Sequence, residues 1–148
     1  MRTARYYSLF LGLALTVFSA ADVAAQKCSY DTKGFRDIPG ANMVVGLRRG
    51  NVRTLKGTIT GPNGVPIAKA ALALFKITPG SVEHDKTFIG STEADENGEY
   101  CFGTLPRGRY VLHAGTAGFQ RTELEFRMVS SGNPRGKSKV DIQLVLGF

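Results

Sequence analysis

The chain has 148 residues, two cysteines, two histidines, no tryptophan and a formal net charge of +7. That length leaves no room for a second domain of ordinary size. With no His-x-x-Glu-His, paired Cys-x-x-Cys or Gly-x-Ser-x-Gly, composition and motifs give no support to a zinc site or a hydrolase elbow.

From the N-terminus, Arg2 and Arg5 precede an apolar run over residues 6–21, and Val23-Ala24-Ala25 puts small residues where a signal peptidase reads. Residues 1–25 are therefore expected to be an export signal, cleaved after Ala25. The run is about 15 residues, short of the roughly 20 needed to cross a bilayer, which favours a cleaved signal over the alternative of an uncleaved membrane anchor, and no membrane span is expected after cleavage. Lys27 stands where a lipid-anchored Cys28 would need a small residue, which argues against a lipoprotein. Loss of Arg2, Arg5 and Asp22 takes the chain from 19 basic and 12 acidic side chains to 17 and 11, a net charge of +6.

Residues 26–51 are rich in glycine and polar side chains, with Phe35, Ile38 and Met43-Val44-Val45 as the apolar points. They read as a lead-in with one short strand at 42–47. Regular patterning begins at Val52, where the 52–148 domain is placed. Over residues 52–60, Leu55, Gly57 and Ile59 share one face and Thr54, Lys56 and Thr58 the other. Gly61-Pro62-Asn63-Gly64 then breaks the strand. The apolar run 70–77 has too little alternation to separate strand from helix, but its length and flanking turn formers favour strand. A loop over residues 78–85 leads to a strand at 86–93.

Asp95-Glu96-Asn97-Gly98 is a hairpin turn, because Asn-Gly supplies the positive-φ positions a short connection needs. After it Tyr100 and Phe102 face one way and Glu99, Cys101 and Gly103 the other. Pro106-Arg107-Gly108 makes the next turn, beyond which Tyr110, Leu112 and Ala114 resume the alternation. Tyr100, Phe102, Leu105, Tyr110 and Leu112 are expected at the centre of one buried face. Gly115 and Gly118 bracket a corner in which Phe119 packs back under the edge. Residues 122–130 alternate cleanly, as do 140–146, where Val140, Ile142, Leu144 and Leu146 alternate with Asp141, Gln143, Val145 and Gly147, and Ile142 and Leu144 are expected in the core. The sum is an all-β chain of seven short strands with frequent turns and no internal repeat, the pattern of a two-sheet antiparallel sandwich.

In an oxidising compartment Cys28 and Cys101 are expected to pair, closing a loop of about 70 residues that stabilises the fold by roughly 4 kcal/mol in the chain-entropy view. The alternative is two unlinked thiols. Because Cys101 faces away from Tyr100 and Phe102, a bridge requires residues 26–40 to cross the outer face of that sheet.

The series Gly57-Thr58-Ile59-Thr60, Gly64-Val65-Pro66-Ile67 and Ala70-Ala71-Leu72-Ala73-Leu74 resembles the first half of the carboxypeptidase regulatory-like domain. The second half resembles it more closely: Asp95 to Gly98, Leu105-Pro106-Arg107-Gly108-Arg109-Tyr110 and Gly118-Phe119 follow that family's Asp-x-x-Gly, Leu-Pro-x-Gly-x-Tyr and Gly-Tyr/Phe order. The resemblance covers about residues 52–146. It implies a prealbumin-like (immunoglobulin-like) Greek-key sandwich, related to carbohydrate-binding and adhesin modules, with no catalysis. Transthyretin-like hydrolases share the architecture but close with Tyr-Arg-Gly-Ser, whereas here the residues read Leu144-Val145-Leu146-Gly147-Phe148.

His113 alternates onto the outer face and reads as an exposed strand residue. His84, between Glu83 and Asp85, is a weak metal locus within the 78–85 loop. Asp95, Asn97 and Glu99 resemble the start of a calcium loop but are better explained by the turn. Arg48, Arg49, Arg53 and Lys56 cluster early, after Lys33 and Arg36, and Arg135, Lys137 and Lys139 precede the last strand. If the first and last strands adjoin, these form one basic patch that attracts anionic partners; otherwise they are a solubilising surface. The sequence thus points to a secreted or periplasmic, non-enzymatic binding module that takes carbohydrate or an envelope protein, without cofactor, metal or nucleic acid. The other readings are a structural envelope protein assembling through strand edges, and an enzyme with a site in the 78–85 loop.

Overall fold

The computed structural model describes residues 28–34, 37–80 and 85–147. The expected export signal at 1–25 lies outside these, as do Phe35, Arg36, His84 and Phe148. The described residues form strands and no helix: β1 (Ala41–Val52), β2 (Leu55–Thr60), β3 (Ala71–Ile77), β4 (Lys86–Glu93), β5 (Glu99–Gly103), β6 (Gly108–Gly115), β7 (Gln120–Met128) and β8 (Ile142–Gln143). They build two sheets, one of five strands in the order β1-β7-β6-β3-β4 and one of three in the order β5-β2-β8.

Period-two alternation decides the core as expected. Leu72, Leu74, Tyr110, Leu112, Leu124 and Phe126 line the inner face of the larger sheet, against Leu55, Ile59, Tyr100 and Phe102 of the smaller one. Each such side chain contributes about 1.5–3 kcal/mol on leaving water. Tyr110 and Phe126 stack with centroids 5.9 Å apart. The Tyr110 hydroxyl donates to the Pro106 carbonyl at 2.8 Å, tying the strand to the turn before it.

Several expectations are corrected. Tyr100, Phe102, Tyr110 and Leu112 do not share one face: the first two belong to the small sheet and the others to the large one. The 95–98 turn is tight, with Gly98 N–H donating to the Asp95 carbonyl at 3.0 Å, yet it passes the chain from one sheet to the other. Local turn chemistry sets the reversal but not which neighbour each strand then pairs with. Among the described residues the strands number eight rather than seven, and the sheets are mixed rather than antiparallel. β1, which covers the expected short strand at 42–47 and continues to Val52, runs parallel to β7; β8 runs parallel to β2. Alternation reports which face a side chain takes and carries no information on strand direction. The last strand is short, with Ile142 and Gln143 alone in the ladder, although Val140, Ile142 and Leu144 are all buried; Leu146, next in the alternation, is exposed.

The small sheet closes over Gly57. A Cβ there would sit 2.0 Å from the Val140 carbonyl oxygen, so only a glycine lets residues 140–144 lie against β2. Three contacts hold the approach: Val140 N–H to Lys56 O at 2.8 Å, Thr58 N–H to Asp141 Oδ1 at 2.9 Å, and Tyr100 Oη to Val140 O at 2.6 Å.

The lead-in also has a definite path. Cys28 is bonded to Cys101 with Cα atoms 5.2 Å apart. Tyr30 enters at the open side of the sandwich, its ring 5.2 Å from that of Phe102, in space that a Cβ on Gly90 would fill. Asp31 then exchanges two backbone hydrogen bonds of 2.8 Å with Ser91 on edge strand β4. Farther on, Ile38 is buried and Pro39 O lies where a Cβ on Gly115 would stand. The strap therefore crosses the outer face of the five-stranded sheet, not of the sheet that carries Cys101. Cys101 lies on an edge strand, so one short step from Cys28 takes the chain around that edge.

Two outcomes are expected. Gly57→Ala should destabilise the fold by about 1–3 kcal/mol through overpacking against backbone, whereas Gly46→Ala, whose Cβ would meet nothing within 4 Å, should change stability by less than about 0.5 kcal/mol; urea midpoints at unchanged slope check both. Reduction should add the mass of two hydrogens and lower stability by about 4 kcal/mol or less; an intact mass unaltered by reductant would show that the thiols are unlinked.

Candidate binding surfaces

The outward-facing side chains of β2 and β5 are those the inner core leaves over: Lys56 and Thr58 from one strand, Glu99 and Cys101 from the other, paired in register as Lys56↔Cys101 and Thr58↔Glu99. With the disulfide, Ser29 of the strap, Thr92 and Lys139, they enclose an open hollow of ≈ 800 Å³. Its walls carry hydroxyls at Ser29, Thr54, Thr58, Thr92 and Thr104, cations at Lys56 and Lys139, and carboxylates at Glu93, Asp95 and Glu99. Lys139 also pairs with Asp141 at 3.4 Å.

Asp95 is already occupied by the turn, its Oδ1 accepting from the N–H groups of Asn97 and Glu99 at 2.8 and 2.9 Å. That is turn chemistry, as the sequence suggests. Tyr100 lines the hollow from beneath. Burial, and then the Asp141 charge, push its phenol far above the ordinary range against a smaller opposing effect of Arg49, so the hydroxyl stays protonated and acts as a donor. Hydroxyls and paired charges of this kind bind by hydrogen bonding.

The basic residues singled out in the sequence fall on two faces. Arg53 N–H donates to Lys137 O and Lys137 N–H to Asn51 O, at 2.8 and 2.9 Å, and Arg53 packs on Gly136. Lys56 and Lys139 share the hollow, and Arg49 reaches the Asp141 carbonyl at 3.5 Å. Arg135 stands in the 133–136 turn, where its N–H donates to Asn133 Oδ1 at 2.9 Å. Arg48, by contrast, pairs in register with Glu125 on β7. Arg109 and Arg127, not singled out from the sequence, share a hollow with Arg48, and Arg107 lines the adjoining one with both. Their alternation with Tyr110 and Phe126 marks Arg109 and Arg127 as outward, but only the register makes them neighbours.

His113 takes the outer face of β6 as expected but is mostly covered, with its side chain 19% exposed. Its ring lies 4.8 Å from that of Phe75, and Nε2 is 3.3 Å from Glu123 Oε1 without hydrogen-bond alignment. Burial lowers its pKa, Glu123 opposes this, and Lys86 and Arg121 add to the lowering. Among the described residues no three His, Cys, Asp or Glu side chains gather as metal ligands. Acid destabilises the fold through this residue: the unfolded chain takes a proton near pH 6.5, the folded chain only at lower pH, so stability is full above that value and is lost as pH falls through the folded one. His113→Gln should flatten the acid side of a plot of urea midpoint against pH; coincident plots for the two proteins would remove the argument.

No curated protein sequence matches the chain. Among solved structures, catechol 1,2-dioxygenase from Pseudomonas arvilla C-1 is 11% identical, covering 80% of this chain and 62% of its own, with a TM-score of 0.42. For 3-chlorocatechol 1,2-dioxygenase from Rhodococcus opacus 1CP the figures are 13%, 84%, 76% and 0.44, and for (S)-allantoin synthase 16%, 74%, 42% and 0.40. The chain thus spans less than two thirds of the first of these enzymes. The family model of the carboxypeptidase regulatory-like domain matches residues 54–145, from the link before β2 past the end of β8. With Gly57, Gly98, Tyr110 and Phe119 in the positions that the sandwich requires, the chain belongs to the carboxypeptidase regulatory-like domain family.

Proposed function

We propose that this chain is an exported, non-enzymatic module that binds carbohydrate at the hollow over β2 and β5. The observation that carries the reading is the hollow itself: ≈ 800 Å³, walled by five hydroxyls and by side chains of both charges, on a floor of paired strands locked to the strap by the disulfide. Sugars present dense donors and acceptors, and a site of this size with polar groups already placed suits them. An envelope protein is the other partner of matching polarity. Export agrees with the signal-like residues 1–25 and with the disulfide, which persists in oxidising compartments. Nucleic acid is disfavoured because the aromatic rings that stack bases are turned inward at Tyr100, Phe102, Tyr110 and Phe126.

A second reading has an observation of its own. β1 is a twelve-residue strand at one edge of the five-stranded sheet, with Val44 47% exposed. Such an edge is a template for pairing with another chain, which would make the protein a structural element of the envelope.

On an array of neutral glycans the mature chain should bind a defined set, and Lys56→Ala or Thr58→Ala should weaken that binding about tenfold, the loss of one or two hydrogen bonds to a sugar. Binding indifferent to both changes would sink the site. Sedimentation showing concentration-dependent assembly without ligand would favour edge pairing, and turnover of any substrate would refute the non-enzymatic reading. N-terminal sequencing of the exported protein should begin at Gln26.

A further inference from the structure

The outer face of the five-stranded sheet carries a second feature, remote from the β2–β5 hollow in character. Arg109 on β6 and Arg127 on β7 are directly paired in register. Neighbouring strands are about 4.8 Å apart, and like charges placed directly opposite destabilise a sheet. β1 adds to the concentration. Arg48 pairs with Glu125 and Asn51 with Arg127, so three steps on β1 match two on β7 and one residue is extra. Arg48 and Arg49, which regular alternation would send to opposite faces, consequently both line one hollow of ≈ 260 Å³ with Arg109 and Arg127. Bulges often re-aim side chains in this way beside binding sites. On the other side of the arginine pair, a hollow of ≈ 580 Å³ is lined by Arg107, Arg109 and Arg127 together with Ser130 and Asn133.

Four arginines, Arg48, Arg107, Arg109 and Arg127, therefore border two adjoining shallow hollows that share Arg109 and Arg127, while Arg49 lines one of them but turns its guanidinium to the Asp141 carbonyl. Glu125 is the carboxylate among them, and it is engaged: Arg109 donates to its Oε1. That hydrogen bond holds the Glu125 carboxyl below its usual range, opposed by slight burial and reinforced by the charges of Arg109, Arg48 and Lys86. Among the described residues no carboxylate pairs with Arg48, Arg107 or Arg127. Beyond Glu125, and Glu123 on the far side of Arg48 and Arg109, the face holds an excess of planar, bidentate donors over carboxylates.

We propose that this arginine face binds an acidic polysaccharide, gripping the carboxylate or sulfate groups of successive sugars while Ser130 and Asn133 meet sugar hydroxyls. A polymer suits two open hollows in a row better than a single small anion does. A lipid surface fits poorly, since the exposed apolar residues Val44, Val65, Val145 and Leu146 do not line either hollow. The proposal goes beyond the neutral-sugar site over β2 and β5 and stands or falls separately from it.

The test is titration calorimetry of the mature chain with polygalacturonate, dextran sulfate and neutral dextran. At least one acidic polymer should bind, neutral dextran should not at this face, and binding should weaken with added salt. Comparison of the carboxylated with the sulfated polymer identifies the preferred oxyanion. Arg127→Ala should weaken binding about tenfold, as the loss of a charge-assisted bidentate contact does, and Arg127→Glu should abolish it. Arg127→Lys, which keeps charge but not the fork, should fall between wild type and Arg127→Ala. Because Arg127→Ala and Arg127→Glu relieve the Arg109–Arg127 apposition and Arg127→Lys leaves it as it is, thermal stability should not fall, which separates lost binding from lost folding. Binding untouched by Arg127→Glu, weakened equally by Lys137→Glu, or failing to distinguish charged from neutral polymer would overturn the proposal. Lys56→Ala should leave acidic-polymer binding unchanged, whatever it does to neutral sugars.

Discussion

The structure depends on the close approach of the Val140 carbonyl to Gly57. At that point a main-chain oxygen occupies the space of the missing side chain, and Tyr100 reaches from the neighbouring strand to donate a hydrogen bond to the same oxygen. An unsatisfied buried carbonyl costs about 1–3 kcal/mol, so the phenol both fills core volume and removes that penalty. Once Val140 is fixed, Ile142 and Leu144 follow it into the core two residues at a time, and Asp141 and Lys139 are turned outward. The smaller sheet is therefore complete only because one glycine and one tyrosine stand side by side on paired strands.

The same economy of space governs the strap. Gly90 leaves room for the Tyr30 ring between the sheets, and Gly115 leaves room for Ile38 and Pro39 over the outer face. The disulfide fixes the start of this path on the small sheet, and the Asp31–Ser91 pairing fixes its next point on the large one. The segment before β1 thereby fastens one sheet to the other on the side where their edge strands would otherwise stand apart. It also supplies Cys28 and Ser29 to the rim of the polar hollow, so stapling the fold and shaping that surface are one arrangement.

Charge is distributed by the sheets rather than by the order of residues. Lys56 and Lys139, more than eighty residues apart in the chain, share a hollow with carboxylates of β5 and the turn before it. Arg48 and Arg49, adjacent in the chain, sit beside Arg109 and Arg127 because a bulge in β1 and the β6–β7 register bring them there. The basic chain consequently presents one surface of mixed sign and one of nearly a single sign, which suit different ligands.

Much of the fold was legible because period-two alternation depends on local chemistry alone. Leu55 and Ile59, Tyr100 and Phe102, Tyr110 and Leu112, Val140 and Ile142 each follow from side chains pointing alternately up and down, and the turn at Gly98 from the positive φ of 73° that favours glycine, although Asn97, also expected at positive φ, does not take it. The turn role of Asp95 was legible for the same reason. The candidate surfaces were not. Whether Arg109 meets Arg127, whether Cys28 comes round the edge of β5 or across its sheet, and whether β1 runs with or against β7 are matters of register and strand direction. These are decided by contacts between residues far apart in the chain. By itself the sequence determined the approximate places of the strands and turns and most of the buried set, because each rests on neighbours a few residues away. Tertiary structure alone decided the mixed sheets, the strap and the gathering of arginines, because each is a pairing that no local pattern encodes.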